Sequence, residues 1–198
     1  MLVVFDLDGT LVDSSKSLLK AHEAAWENCG LECPPASAIL DLVGLPLLET
    51  MRTLSPQSDP HALAKEYSKA YSRTSLEHEH LFEGVKELLS DPFPAAVATG
   101  KSQRGAESAV RRHGLHERFE LVLGGNSVPH PKPYPDLLWA IMKATGEKDL
   151  LMIGDTTYDL EMAHKAGAQA IGVSWGHHSS DRLQKWAPVV DSIEELRK

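Results

Sequence analysis

The chain has 198 residues, and its 20 lysines and arginines against 28 aspartates and glutamates give a formal net charge of −8. Its length suits one core with an inserted module, and 42% hydrophobic with 24% charged residues is typical of a globular protein rather than a disordered or low-complexity chain. The negative charge disfavours non-specific binding to nucleic acid or to an anionic membrane surface, so an anionic ligand needs locally placed positive charge.

The cysteine content and the N-terminal segment indicate the compartment. Cys29 and Cys33 are too few for a disulfide framework, and no second cluster completes a zinc site. No apolar run approaches the roughly 20 residues of a membrane helix, and no basic segment precedes the first apolar run. We therefore expect a cytoplasmic protein with reduced thiols.

The first predicted element is a buried strand over Leu2–Phe5. This run of β-branched, aliphatic and aromatic residues is typical of a strand in a parallel sheet. It leads directly into Asp6, and the turn residues Asp8-Gly9-Thr10 follow. The two carboxylates are therefore expected at the carboxyl end of the strand.

Between residue 14 and about residue 80 the pattern changes to helices, with no strand-like run between them. Glycines and prolines separate these helices. The predicted helices cover Ser15–Asn28, Ser37–Val43, Pro46–Leu54 and Pro60–Leu76. We interpret residues 14–80 as an all-helical insertion.

After Gly84 the chain alternates between strands and helices. The predicted strands are Ala95–Thr99, Leu121–Leu123, Leu150–Ile153 and Ala170–Val173, and the predicted helices are Gln103–His113, Pro135–Ala144 and Tyr158–Ala166. This alternation predicts an α/β fold with a doubly wound parallel sheet, built from residues 1–13 and 81–198. Because ligands bind beyond the carboxyl ends of such strands, residues 14–80 are expected to form a cap over the site.

Polar side chains with complementary chemistry follow four of these strands or lie in the loops after them. Parallel strands bring such loops to one edge of the sheet. The clustered oxygens suit Mg²⁺, while a hydroxyl and an ammonium group suit a phosphoryl group, whose transfer depends mainly on positioning and charge stabilisation. The residues concerned are Asp6, Asp8, Thr99, Lys132, Asp155 and Asp159.

These segments together resemble the haloacid dehalogenase superfamily. Asp6 to Thr10 matches its DxDGT motif, Thr99 its second motif, Lys132 its third, and Gly154 to Asp159 its GDxxxD motif. The four motifs occur in the family's order over nearly the whole chain. The resemblance implies a Rossmann-like catalytic core with an inserted helical cap.

The resemblance also implies roles for the motif residues. Asp6 is the expected nucleophile, which forms an aspartyl-phosphate, and Asp8 the expected acid and base. Mg²⁺ is expected on Asp6, Asp155 and the Asp8 carbonyl, and Asp159 is expected to orient these ligands without binding the ion itself. The phosphate is expected to contact Thr99, Lys132 and the backbone N–H groups of Leu7 and Gly100.

The helical insertion and the segments Gly44–Leu47, Lys132–Asp136 and Gly172–Gly176 further resemble the phosphoglycolate phosphatase group. This resemblance makes 2-phosphoglycolate the first candidate among small phosphorylated metabolites. Asp8 disfavours dehalogenation, since the dehalogenases lack this second aspartate. Two alternatives stay open. One is a sugar-phosphate mutase, although the related mutases carry a histidine where this chain has Leu18, and the other is a non-catalytic regulator that binds a phosphometabolite.

The remaining candidates lie outside the motifs. In the predicted cap, His22 and Arg52 are possible substrate contacts, although a solvated helix face is an equal alternative for both. The pair His177 and His178 matches no metal-binding spacing, and we interpret both as surface residues. The oligomeric state has no signature in the sequence.

Overall fold

The computed structural model of the chain describes residues 1–197, in which six parallel strands form one sheet. The spatial order is β5-β4-β1-β6-β7-β8. The strands are β1 (Leu2–Phe5), β4 (Ala95–Thr99), β5 (Leu121–Gly124), β6 (Leu150–Gly154), β7 (Gln169–Val173) and β8 (Val189–Val190). The predicted α/β fold with a doubly wound parallel sheet is confirmed.

β1 lies in the middle of this sheet, which explains its continuous apolar sequence. Phe5 pairs with Val97 of β4 on one side and with Ile153 of β6 on the other. Successive side chains of a strand face opposite layers. Accordingly, Phe5 packs in one hydrophobic cluster and Val4 in another, and both are almost completely buried.

Helices cover both faces of the sheet. On the Phe5 face lie α5 (Val85–Ser90) and α6 (Gln103–Arg112), and on the Val4 face lie α7 (Asp136–Thr145) and α8 (Thr157–Ala166). Because β4, β1 and β6 are adjacent and parallel, the segments after Thr99, Phe5 and Gly154 all emerge at the same edge. The candidate residues are therefore collected there by the sheet itself.

Four helices form a second layer, with its own hydrophobic cluster around Trp26, Met51 and Leu63. They are α1 (Ser15–Asn28), α2 (Ala36–Leu40), α3 (Leu47–Leu54) and α4 (Pro60–His78). We call these four helices and the turns that connect them the cap. The proposed division into residues 14–80 and the rest stays a prediction, although the cluster is consistent with it.

The two chain segments that join the cap to the sheet pair with each other. β2 (Val12–Asp13) and β3 (His80–Leu81) form an antiparallel ribbon in which Val12 lies opposite Leu81. The cap therefore has a single paired attachment to the sheet.

The sequence patterns missed or misplaced several short elements. They gave no indication of β2, β3, β8, α5 or α9 (Ser180–Leu183), because runs of two to six residues are too short to show a period. The predicted second helix also extended too far. It ends at Leu40 and gives way to turns up to Gly44, whose φ of +99° is left-handed and cannot continue a helix. Among the described helices, none has the combined length and apolarity that a membrane crossing demands.

Replacing Trp26 with alanine should loosen the cap selectively. Trp26 is 1% exposed within the cap cluster, so the cavity left behind should cost about 3–5 kcal/mol of unfolding free energy. Hydrogen exchange followed by mass spectrometry should show faster exchange in α1 and α4 than in β1 and β6. Trp139→Ala is the control, because that side chain is 52% exposed on α7. Uniform acceleration in both layers would contradict a separately packed cap.

Candidate active site

The centre of the site is a buried ammonium group between two carboxylates. Lys132 Nζ lies 2.9 Å from Asp6 Oδ1 and also contacts Asp159 Oδ1, and all three side chains are almost completely excluded from solvent. Asp6 directly follows β1, and its N–H donates to Ile153 O at 3.0 Å. Burial disfavours the ammonium, but Asp159 and Asp6 outweigh it and raise the pKa of Lys132. Lys132 is therefore a fixed positive charge.

Asp159 is held by the helix that follows β6. The Thr156 N–H and hydroxyl group both donate to Asp159 Oδ2, at 3.1 and 2.7 Å, which forms a capping box at the start of α8. The other oxygen, Oδ1, is thus left for Lys132. The GDxxxD spacing thus places Thr156, the N-cap of α8, and Asp159, the partner of Lys132, in the first turn of the same helix.

Asp155 is oriented by donors from two loops. The Thr10 hydroxyl donates to Oδ1 at 2.9 Å, while the backbone N–H and ring Nδ1 of His177 lie 2.8 Å from Oδ2. Burial would raise the pKa of Asp155, but its interactions with His177 outweigh this and lower it. Asp155 is therefore an oriented carboxylate anion.

The interpretation of His177 and His178 as surface residues is wrong. The side chain of His177 is 2% exposed against Asp155, and that of His178 is fully buried. The His178 Nδ1 accepts from Thr157 N–H at 3.0 Å, and its Nε2 lies 3.0 Å from Asp41 O in the cap. Both rings pack inside because the chain after β7 folds back over β6.

The carboxylate cluster fits a divalent cation. Asp6, Asp155 and Asp159 each place an oxygen within 4.8 Å of the others. Oδ2 of Asp6 and Oδ1 of Asp8 are buried without a hydrogen-bond partner among residues 1–197. Burial raises the pKa of Asp6 to about 7, although Lys132 opposes the shift. A hard cation with oxygen ligands would satisfy these oxygens and keep Asp6 ionised.

Asp8 has a partner that the sequence analysis did not identify. Lys101 Nζ lies 2.9 Å from Asp8 Oδ2 and donates to the Tyr71 hydroxyl at 2.6 Å. Tyr71 belongs to α4, so one ammonium group joins the motif carboxylate to the cap. The only signal in the sequence is the position of Lys101 two residues after Thr99, which alone assigns no role.

Glu79 completes this network where the cap meets the sheet. Its fully buried carboxylate accepts from Tyr71 and Arg112, and Lys101 Nζ lies 3.7 Å away. Burial would raise the pKa of Glu79, but His113, Lys101, Tyr71 and Arg112 outweigh this and lower it to about 2. Glu79 is thus an anion that ties α4 to α6.

The predicted phosphate contacts line the same edge. Thr99 is 1% exposed at the end of β4. The backbone N–H groups of Leu7 and Gly100 donate to no acceptor within the described part of the chain. A side chain at Gly100 would collide with the backbone of Gly44 and Leu45, so the cap approaches this edge closely. Free N–H groups at such an edge suit an anion.

A cavity of about 770 Å³ lies between the cap and the sheet edge. Asp6, Asp8, Thr99, Gly100 and Lys101 line it from the sheet, and the cap lines it with side chains that include Leu18 and His22. Arg52 is exposed on α3 and is not among the lining residues, so the structure does not bring it to the other candidates.

A model of one protein family matches most of the chain. The model described as haloacid dehalogenase-like hydrolase matches residues 3–173. This range includes Asp6, Thr99, Lys132 and Asp155.

Individual relatives match over nearly the whole chain. The probable phosphatase IndB of Dickeya dadantii is 35% identical, with 98% of this chain and 91% of that protein covered. A phosphoglycolate phosphatase of Vibrio parahaemolyticus is 30% identical, with 98% and 93% covered. The crystal structure of a putative haloacid dehalogenase-like hydrolase from Bacteroides fragilis superposes with a TM-score of 0.89 at 26% identity, with 98% of each chain covered.

Replacing Glu79 with glutamine should remove part of the acid sensitivity of folding. The folded pKa of about 2 lies below the ordinary 4.5, so Glu79 stabilises the fold above about pH 4.5 and the effect is lost as the pH falls towards 2. We expect Glu79→Gln to cost on the order of 3 kcal/mol at pH 7, and the difference from wild type to shrink steadily between pH 5 and pH 3.

Urea unfolding at each pH measures this difference. Glu83→Gln is the matched control, because Glu83 is an exposed carboxylate in the same segment. A Glu79→Gln deficit that is the same at pH 3 and pH 7 would show that the charge of Glu79 contributes nothing.

Proposed function

The chain belongs to the haloacid dehalogenase-like hydrolases and is a phosphoric monoester hydrolase, and on this premise we propose that it is a Mg²⁺-dependent phosphatase acting through an aspartyl-phosphate on Asp6. The observation that supports this most is the environment of Asp6. Its carboxylate is buried under the cavity, with Oδ1 held by the ammonium of Lys132 and Oδ2 without a hydrogen-bond partner within residues 1–197.

In the first step, an oxygen of Asp6 attacks phosphorus and the bond from phosphorus to the leaving oxygen breaks. Lys132 orients Asp6 and offsets negative charge on the phosphoryl group, whose oxygens accept from Thr99 and from the N–H groups of Leu7 and Gly100. Stabilising charge in this way is the main contribution a protein makes to phosphoryl transfer.

Asp8 handles the protons of both steps. Its protonated carboxyl group donates to the leaving oxygen, which departs as an alcohol. In the second step the Asp8 carboxylate takes a proton from water, the water oxygen bonds to phosphorus, and the bond to Asp6 breaks. The buried Asp8 Oδ1, without a partner among the described residues, is the oxygen that suits this exchange.

The residues that would hold Mg²⁺ are Asp6, Asp155 and the carbonyl of Asp8, with Asp159 fixing Lys132 beside them. When bound, Mg²⁺ neutralises charge on the phosphoryl oxygens and on the carboxylates. Thr10 and His177 orient Asp155 for this role: Oδ2 accepts from the backbone and the ring of His177, while Oδ1 accepts from Thr10 and retains a lone pair for the ion.

The proposed substrate is a small organic phosphomonoester, and the phosphoglycolate phosphatase of Vibrio parahaemolyticus makes 2-phosphoglycolate the first candidate to test. Leu18 presents an apolar side chain to the cavity where related mutases carry histidine. That position therefore offers no group for proton transfer, which favours hydrolysis over return of the phosphoryl group to a sugar.

Phosphate release from a panel of phosphomonoesters tests the proposal. The panel contains phosphoglycolate, glycerol phosphate, hexose phosphates and nucleotides, with pyrophosphate as a phosphoanhydride for comparison, each with Mg²⁺ and with chelator. We expect release that requires Mg²⁺ and is lost on chelation, because the carboxylate cluster needs a cation to bind the dianionic substrate. Asp6→Asn should lower kcat by at least about 10³-fold, since the amide is a poor nucleophile.

Asp13→Asn is the matched control, because Asp13 is an exposed carboxylate a few residues beyond the site. It should retain the wild-type rate. Full turnover in chelator, or wild-type kcat in Asp6→Asn, would contradict the proposal. Isomerisation of a sugar phosphate without free phosphate would instead identify a mutase.

A further inference from the structure

His22 carries a buried polar atom that the reaction described above does not use. The residue is 3% exposed on α1, lines the cavity, and has its Nδ1 2.8 Å from Leu18 O. A carbonyl oxygen only accepts, so Nδ1 carries the proton of this hydrogen bond. The other nitrogen, Nε2, is buried and has no partner among residues 1–197.

The protonation state of the ring defines what Nε2 offers. Burial lowers the pKa of His22 to about 4, although the hydrogen bond to Leu18 opposes the shift. The ring is therefore neutral at physiological pH, with its one proton on Nδ1. Nε2 then presents a lone pair and can only accept a hydrogen bond.

An aromatic wall connects His22 to the reacting groups. The His22 ring packs edge-on against Tyr67 with centroids 4.7 Å apart, and Tyr67 stacks on Tyr71 at 5.4 Å. The Tyr71 hydroxyl accepts from Lys101, which is paired with Asp8. Asp8, Tyr71, Tyr67 and His22 all line the same cavity, so a leaving group that extends from Asp8 along this wall approaches His22.

The volume of the cavity and the charges on its wall limit which leaving groups it can hold. About 770 Å³ falls within the roughly 300–1,000 Å³ of pockets that bury drug-sized ligands, so there is room for more than a two-carbon acid. Among the cations of the cavity wall, Lys101 pairs with Asp8 and Arg112 with Glu79, while Lys65 and Arg104 also line the cavity. A carboxylate only accepts and cannot pair with the lone pair of His22 Nε2, whereas a hydroxyl group donates to it.

We propose that His22 is a specificity-determining residue whose Nε2 accepts a hydrogen bond from a hydroxyl group on the leaving group. The substrate class is then a polyhydroxylated phosphomonoester, that is, a sugar or polyol phosphate. Phosphoglycolate has no alcohol hydroxyl to donate. The inference rests on the proposed phosphatase function and assigns the leaving group for that same site.

His22→Phe is the variant that tests it. Phenylalanine keeps an aromatic ring against Tyr67 and Trp26 and removes the acceptor. The substrates are glycerol phosphate and hexose 6-phosphates, compared with phosphoglycolate and ethyl phosphate, which lack a hydroxyl donor. The measured quantity is kcat/KM for each substrate with Mg²⁺.

We expect the wild type to prefer the hydroxylated substrates. His22→Phe should lower kcat/KM for the preferred one by about 10- to 100-fold, as for a lost buried hydrogen bond, and for the donor-free substrates by less than about threefold. His22→Gln, which retains an acceptor, should keep more of the preference than His22→Phe. It is also the variant to use if His22→Phe fails to fold by circular dichroism.

Two results would overturn the inference alone. One is a wild-type preference for phosphoglycolate or ethyl phosphate. The other is an equal loss of kcat/KM on all four substrates in His22→Phe, which would mean that Nε2 makes no hydrogen bond to the substrate. Absence of Mg²⁺-dependent release from every substrate is distinguishable, because it refutes the proposed phosphatase and the inference together.

Discussion

The buried ion cluster around Lys132 is the interaction on which the site depends. Removing a carboxylate from water costs several kcal/mol, and the carboxyl edge of this sheet buries Asp6, Asp155 and Asp159 within a few ångströms of one another. One ammonium group contacts two of them, and the capping box fixes Asp159 so that it cannot turn away. Without Lys132 the like charges would repel one another. The position of Asp6 under the cavity is thus a consequence of charge balance as much as of the strand that precedes it.

A second ionic network sets the position of the cap. Glu79 directly precedes β3 of the ribbon that joins the cap to the sheet, and its carboxylate contacts Tyr71 of α4 and Arg112 of α6. Lys101 connects the same network to Asp8. A movement of α4 that separates Tyr71 from Lys101 therefore alters the surroundings of Asp8. The placement of the cap and the geometry of the Asp8 carboxylate are coupled through the side chain of Lys101.

The sequence predicted the sheet, and the meeting of the motif residues at one end of it, for a physical reason. Asp6, Thr99 and Asp155 each come directly after a strongly apolar run, and in a parallel sheet the ends of such runs meet at one edge. Glu79 and His177 were not predicted, because their importance comes from contacts between segments that are distant along the chain. No local period or spacing records such contacts. The same limit applies to the cap, because the packing of its helices determines that His22 lines the cavity and Arg52 does not.

The most direct test of the central claim is to trap the phosphorylated enzyme. Wild-type protein with Mg²⁺ is mixed with a ³²P-labelled substrate from the active panel and quenched in acid within milliseconds. The protein is then reduced with borohydride and digested, and its peptides are analysed by mass spectrometry. Transfer through Asp6 predicts transient label on the protein and reduction of Asp6 to homoserine in the peptide that contains it. Rapid turnover with label on another residue, or with no labelled protein at any time, would contradict transfer through Asp6.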